Sequence, residues 1–258
     1  MRLGKRLASR PALLVALGIA LLGTAPTARA TPLSGVVISQ IYGGGGNTGA
    51  PFKNDYIEVF NTSASDVSLA GWSLQYSSAT GSFGQLTGLS GTISGGGYFL
   101  IKEATGAGGL HDLPSPDITG SLVMSAFSGK VALVNSSVSL GCGDASNPCG
   151  LPQLDLILDL VGYGSADFFE GSGAAPLGTN TLALIRAGSG CIDTDNNGAD
   201  FSTGTPNPRN SSSPTISCRV STDVPEPATL ALFCSGIAGL RFFSRRSGSR
   251  KPASRSAG

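Results

Sequence analysis

Short apolar segments separated by turn residues are the feature that most constrains the fold. The chain has 258 residues, of which 38 are glycine. Alternating or β-branched apolar runs recur between turns rich in Gly, Asn, Asp and Ser, and sustained helical periodicity is absent between them. This pattern predicts a two-sheet antiparallel sandwich. The runs cover residues 36–42, 56–60, 72–76, 97–102, 130–135, 154–161 and 181–186.

The apolar pattern also predicts which strands are buried. Leu156-Ile157-Leu158 is apolar on both faces and is typical of a central strand, whereas residues 55–60 alternate and predict a half-exposed strand. Within that strand, Glu58 is expected at the surface or as the partner of a nearby backbone donor. Trp72 is expected to fill space between the sheets.

The first thirty residues have the three regions of a secretory signal peptide. Basic residues precede an apolar run at 12–22, and Ala28-Arg29-Ala30 precedes Thr31. The apolar run is shorter than the roughly 20 residues that span a bilayer, which favours cleavage over anchoring. We expect the Sec machinery to export the chain and signal peptidase to cut after Ala30.

The C-terminal end has the features of a short membrane segment. Pro225-Glu226-Pro227 precedes an apolar run at 228–240, and an arginine cluster with Arg245 and Arg246 follows. The prolines end any preceding structure, and the positive-inside rule keeps the arginines cytoplasmic. The pattern predicts a C-terminal transmembrane helix with the globular part outside.

This C-terminal order resembles the PEP-CTERM sorting signal of bacterial exported proteins, over residues 224–246. In that family a membrane-embedded exosortase processes the tail near the Pro-Glu-Pro motif, and substrates go to the cell surface or its polysaccharide matrix. The resemblance implies exosortase as a partner, a membrane-anchored precursor and a surface or extracellular destination. Polar residues in the apolar run favour a processed signal with transient membrane association over a permanent anchor. A linker at 213–223 and a basic tail at 247–258 flank this signal.

Charge is distributed unevenly along the chain. Of the 17 Lys and Arg residues, five lie in the first thirty positions and six lie after residue 240. All 16 acidic residues lie between Asp55 and Glu226, so residues 31–227 carry a net charge of −10. Because a phosphate backbone would be repelled, this charge excludes nonspecific nucleic-acid binding. It favours cations, neutral surface polysaccharide or other surface proteins as partners.

The cysteine count agrees with export. Four of the five cysteines precede the C-terminal signal, and an even number in an oxidising compartment predicts two disulfides. Of the three possible pairings we favour Cys142–Cys149, which closes a small loop, and Cys191–Cys218, which fixes the end of the domain. A metal site is disfavoured because the sequence has no CxxC motif and His111 lies far away.

A second resemblance covers residues 34–212. The segments that carry it are 36–42, 54–61, 66–74, 97–101, 159–164, 193–197 and 206–210. These motifs are similar to those of the bacterial lamin-tail domain, which implies an immunoglobulin-like β-sandwich that serves as a binding or accessory module without a shared active site.

One acidic loop has the pattern of a possible cation site. Asp193, Asp195 and Asn197 followed by glycine match the first half of a calcium loop. The position of the bidentate Glu is Gly204, so a site would be weak unless Asp200 replaced that ligand. The favoured alternative is a cluster of Asx turns beside a disulfide. Calcium is the one cofactor that the sequence raises.

Residues for catalysis are sparse. The glycines at 44–49 satisfy GxGxxG, but no helix follows, which indicates a flexible loop. The single histidine, His111, lies in a Gly/Pro-rich segment with no nucleophile motif nearby. The sequence therefore predicts a noncatalytic, exported surface or matrix protein. The alternative is a secreted metal-dependent hydrolase or nuclease that uses the acidic residues at 193–200.

Overall fold

Twelve strands lie within residues 35–218, the part of the chain that the computed structural model describes. Two short α-helices and one 3-10 turn join them. The strands are β1 Val36–Tyr42, β2 Asn54–Asn61, β3 Val67–Ser68, β4 Ser73–Ser77, β5 Gln85–Gly88, β6 Thr92–Ile93, β7 Tyr98–Thr105, β8 Ile118–Thr119, β9 Gly129–Val134, β10 Ile157–Tyr163, β11 Ala183–Arg186 and β12 Phe201–Gly204. The helices are α1 Leu151–Leu154 and α2 Asn197–Asp200, and the 3-10 turn is Ala187–Gly190.

These strands form the predicted β-sandwich. A six-stranded sheet has the order β12-β11-β1-β2-β7-β8, and a four-stranded sheet has the order β10-β9-β4-β5. Neighbours in both sheets are antiparallel, except that β8 pairs with β7 in parallel. The short strands β3 and β6 pair separately. The main core lies between the large sheets and includes Ile57, Val59, Leu74, Leu133 and Val161.

The strand predicted to be central lies at an edge. Helix α1 ends at Leu154, and β10 begins at Ile157. Strand β10 forms one edge of the four-stranded sheet. Its apolar residues face two different cores. Leu158 packs against the main core, whereas Leu156 and Ile157 pack against a second cluster under the Cys142–Cys149 loop. Burial on both faces is therefore compatible with an edge position.

Strand β2 is buried on both faces, so the prediction of a half-exposed strand is wrong. The face away from the main core carries Tyr56, Glu58 and Phe60, all fully buried. Phe52 and Leu113 cover one part of it, and Ile216 and Cys218 cover another. The segment 205–218, here called the C-terminal strap, thus packs on the sheet, although the sequence suggested a linker from residue 213.

Two other local expectations concern Trp72 and the glycine loop at 44–49. Trp72, expected between the sheets, is half-buried and packs against the main core. The Gly44–Gly49 loop packs closely against β2 rather than extending freely. A Cβ atom on Gly45 would lie 1.9 Å from the carbonyl carbon of Asn54, and the Gly46 amide donates to the Phe52 carbonyl at 2.9 Å. Glycine is thus required by close backbone approach.

Residues 35–218 include no helix that is long and apolar enough to cross a membrane. The predicted signal peptide, the Pro-Glu-Pro motif and the C-terminal helix lie outside these residues.

Candidate functional site

Both disulfides favoured by the sequence are present in the structure. Cys142 pairs with Cys149, and the bond lies beside the second apolar cluster. Cys191 pairs with Cys218 across 27 positions of sequence and lies against Phe60 and Tyr98. The second bond joins the residue after the 3-10 turn to the last described residue of the strap.

The acidic loop at 193–200 is organised around Arg186, the last residue of β11. The Arg186 side chain is fully buried, and its guanidinium lies 4.6 Å from the centroid of the Phe201 ring. Its Nε donates to the Ile38 carbonyl at 2.8 Å. Arg186 therefore connects β11 to the neighbouring strands β1 and β12.

Two carboxylates bind the Arg186 guanidinium directly. Nη2 donates to both oxygens of Asp159, at 2.9 and 2.8 Å, and Nη1 donates to Asp193 Oδ1 at 2.7 Å. Asp159 belongs to β10, so this pair crosses from the six-stranded to the four-stranded sheet. Hydrogen bonds between a guanidinium and a carboxylate are assisted by charge and are stronger than those between neutral groups.

The remaining residues of the predicted calcium set make further contacts. Asp200 is buried, and its Oδ2 lies 3.6 Å from Arg186 Nη1. Its oxygens accept from the amide and hydroxyl of Thr194, at 2.8 and 2.6 Å. Asn197 is buried, and its Oδ1 accepts from the Gly162 amide at 2.9 Å. Asp195 is exposed and has a positive φ of 52°. These contacts correspond to the turn alternative, in which short polar side chains bind backbone groups.

A different trio of carboxylates comes together within the described residues. Ligand-capable oxygens of Asp159, Glu170 and Asp193 lie within 4.8 Å of one another. Arg186 binds two of the three. The Glu170 oxygens accept from the Leu160 amide and from Asn197 Nδ2. The trio is thus a cluster of negative charge that already contains a cation, the Arg186 guanidinium. Two of its members, Asp159 and Glu170, lie outside the loop that the sequence singled out.

Electrostatics agree with this description. Burial raises the pKa of Glu170 well above its usual range, and the charges of Asp159 and Asp193 raise it further. Burial also raises the pKa of Asp159, while the Arg186 guanidinium acts in the opposite direction. The pKa of Arg186 is raised, because Asp159 and Asp193 outweigh its burial. The cluster therefore keeps its cation at any physiological pH.

A second buried ion pair fixes the strap. Glu58 accepts from Arg209 Nη2 at 2.7 Å, from the Arg209 backbone amide at 2.7 Å and from the Ser39 hydroxyl at 2.5 Å. The Arg209 guanidinium lies 3.7 Å from the centroid of the Tyr98 ring. Glu58 is fully buried, so the surface alternative for this residue is wrong. The acceptor alternative holds, with a donor 151 positions away.

Two further buried carboxylates have only neutral partners. Asp55 accepts from the Gly45 and Met124 amides, at 2.9 and 3.0 Å. Glu103 Oε2 accepts from the Leu122 amide and the Thr87 hydroxyl, at 2.8 and 2.9 Å, and its buried Oε1 has no partner. Desolvation raises the pKa of both groups to about 7.

Comparison with protein families assigns the chain. The Lamin Tail Domain model matches residues 29–144, and the PEP-CTERM protein-sorting motif matches residues 223–247. The chain contains a lamin-tail domain and a C-terminal PEP-CTERM motif. It is an exported surface protein with a signal for sorting by exosortase, and neither matching model describes a catalytic family. The lamin-tail match ends before β10, so Asp159, Arg186 and Arg209 lie C-terminal to it.

Searches against individual proteins add little to this assignment. A DUF4876 family protein from Bacteroides thetaiotaomicron is 14% identical with a TM-score of 0.46, over 71% of this chain and 75% of that one. No curated protein matches the lamin-tail-domain chain.

Sequence reasoning missed the partners that organise the acidic loop. Arg186 appeared only as the end of an apolar run, and Asp159 only as part of a family motif. One signal was available: residues 31–227 contain only six basic residues, and Arg186 directly follows the apolar run at 183–185. An arginine at such a position requires buried acidic partners.

Proposed function

We propose that the protein is a noncatalytic module that acts at the cell surface or in the extracellular matrix. Signal peptidase removes residues 1–30, and exosortase cuts near Pro225-Glu226-Pro227. The released or surface-held domain, with its net charge of −10, then binds neutral surface polysaccharide or another surface protein.

One observation carries the noncatalytic assignment: Arg186 occupies the centre of the acidic cluster. A metal-dependent hydrolase needs its carboxylates free to bind a cation and water. Here Asp159 and Asp193 bind Arg186 at 2.7 to 2.9 Å, and Asp200 binds Thr194. A divalent cation at this position would be repelled by the guanidinium. The cluster therefore supports a stabilising role between the two sheets.

The experiment is to characterise the exported protein from its producing host. Mass spectrometry of the extracellular and envelope fractions should find an N-terminus at Thr31 and a C-terminus near Pro225-Glu226-Pro227. The same material should not hydrolyse DNA or phosphoesters, with or without divalent cations. An intact N-terminus in the cytoplasm would contradict the export proposal. Turnover that Asp193→Asn abolishes would instead support the metal-dependent hydrolase.

A further inference from the structure

The C-terminal strap is fixed along its length to the outer face of the six-stranded sheet. Asn207 exchanges two hydrogen bonds with Gln40, at 2.9 and 3.0 Å. Arg209 forms the ion pair with Glu58, and the Ile216 amide donates to the Gly96 carbonyl at 2.8 Å. The strap therefore holds one path across the sheet up to its last described residue.

Cys218 ends this path at a covalently fixed point. Its partner, Cys191, directly follows the 3-10 turn after β11. The carbonyl of Ser189 in that turn accepts from the Tyr98 hydroxyl at 2.9 Å, which ties the turn to β7. The position of Cys218 on the domain is thus set by the disulfide and by the sheet beneath it.

Only six residues, Arg219–Val224, separate Cys218 from the Pro-Glu-Pro motif. Even fully extended, the chain from Cys218 to Pro225 spans at most about 25 Å. A domain of this size has a radius of gyration of about 16 Å and is thus about 40 Å across. The connection is shorter than the domain itself. An enzyme that holds the motif must therefore lie close to the face around Cys218.

We propose that this face docks on exosortase while the Pro-Glu-Pro motif occupies the active site of that enzyme. The inference rests on the proposed processing and adds the surface that processing requires. The face is formed by small, uncharged residues around a cleft of about 250 Å³, which suits close approach of another protein. One carboxylate lies beside it, where exposed Asp66 accepts from the Gly95 amide at 3.1 Å. Its residues include Thr62, Ser63, Ala64, Gly95, Thr215 and Ser217.

Bulky substitutions combined with a longer connection test the contact. Ala64 and Ser217 are both exposed, so Ala64→Trp and Ser217→Trp enlarge the face without altering the core. In the full-length chain in its own host, pulse–chase labelling should show processing slowed about tenfold, equivalent to about 1.4 kcal/mol. An insertion of about 12 Gly/Ser residues after Ser221 adds up to about 40 Å. The same variants should then regain the rate of the unsubstituted insertion chain, because the domain can move clear.

Ala145→Trp is the matched control, since Ala145 is equally exposed but lies in the Cys142–Cys149 loop. It should be processed at the parent rate. Trp variants processed at the parent rate would overturn the docking proposal, as would slowing that the insertion does not relieve. If Ala64→Glu alone slowed processing, the face would lie on the bilayer, because membrane interfaces accept Trp. A parent chain that is never cut would overturn the proposed processing itself.

Discussion

Two regions of the sandwich bury carboxylates in different ways. At the β10–β11 end, Asp159 and Asp193 surround a buried guanidinium, so negative charge meets a fixed cation. At the end that contains Asp55 and Glu103, the partners are backbone amides and one hydroxyl. The first region compensates charge with charge, whereas the second relies on neutral donors.

This difference determines how each region responds to change. Neutral donors do not cancel the desolvation cost of a carboxylate, and the pKa values of Asp55 and Glu103 therefore rise to about 7. The Arg186 cluster should depend mainly on its cation, because removal of one partner leaves uncompensated buried charge. The first region should thus be the more sensitive to loss of its cation, and Asp55 and Glu103 should make stability depend on pH below about pH 7.

The largest effect is expected from removing the cation of the first region. Arg186→Met should lower the free energy of unfolding by about 3–5 kcal/mol, because Asp159 and Asp193 lose their partner. Equilibrium urea denaturation measures this loss. Lys53→Met is the control, since Lys53 pairs with an Asp112 side chain that is 81% exposed and should change stability by less than about 0.5 kcal/mol. Equal losses in both variants would contradict the described cluster.

A smaller effect is expected at Glu58, which combines both kinds of partner. Arg209→Met removes the guanidinium but leaves the Arg209 backbone amide and the Ser39 hydroxyl as donors. We expect the free energy of unfolding to fall by about 2 kcal/mol, which is less than for Arg186→Met and more than for Lys53→Met. The same denaturation series measures it. A loss as large as that of Arg186→Met would show that the neutral donors contribute nothing.

The second region should make stability depend on pH. Burial raises the pKa of Glu103 from its ordinary value of 4.5 to about 7, so between these pH values the folded state holds a proton that the unfolded state has released. Its stabilising contribution is complete below about pH 4.5 and is lost as pH rises through 7. Between pH 5 and 6 the slope is at most about 1.4 kcal/mol per pH unit for this group.

Glu103→Gln should remove this slope, since Gln keeps an acceptor for Leu122 and Thr87 but does not ionise. Denaturation at a series of pH values, compared with the parent, isolates the contribution of Glu103. Asp112→Asn, an exposed carboxylate, should keep the parent slope. If the Glu103→Gln variant also kept the parent slope, the Glu103 carboxylate would not be the group whose titration changes stability.

The sequence predicts the sandwich because alternating runs and turns are local signals. The positions of strands within sheets depend on contacts far apart in the chain. β10 looked central because two separate cores bury its faces, and β2 looked half-exposed because its cover, the strap, lies about 150 residues later. The GxGxxG loop looked flexible because its close approach to Asn54 is a tertiary contact that no local pattern records.

The candidate site was predictable only in part. The pairing of Cys191 with Cys218 belonged to the favoured one of three possible pairings, and the structure contains it. The acidic loop was recognised, together with the turn alternative that its contacts now favour. Its central residue was not, because the pairing of Arg186 with Asp159 depends on the packing of one sheet against the other.

Calcium dependence of the melting temperature shows whether the acidic loop stabilises the fold through Arg186 or through a metal ion. The exported protein would be melted in millimolar calcium and in EDTA, beside an Asp193→Asn variant. We expect the same melting temperature in both solutions for the parent, and a lower value in both for the variant. A rise of several degrees in calcium that Asp193→Asn abolishes would contradict this expectation.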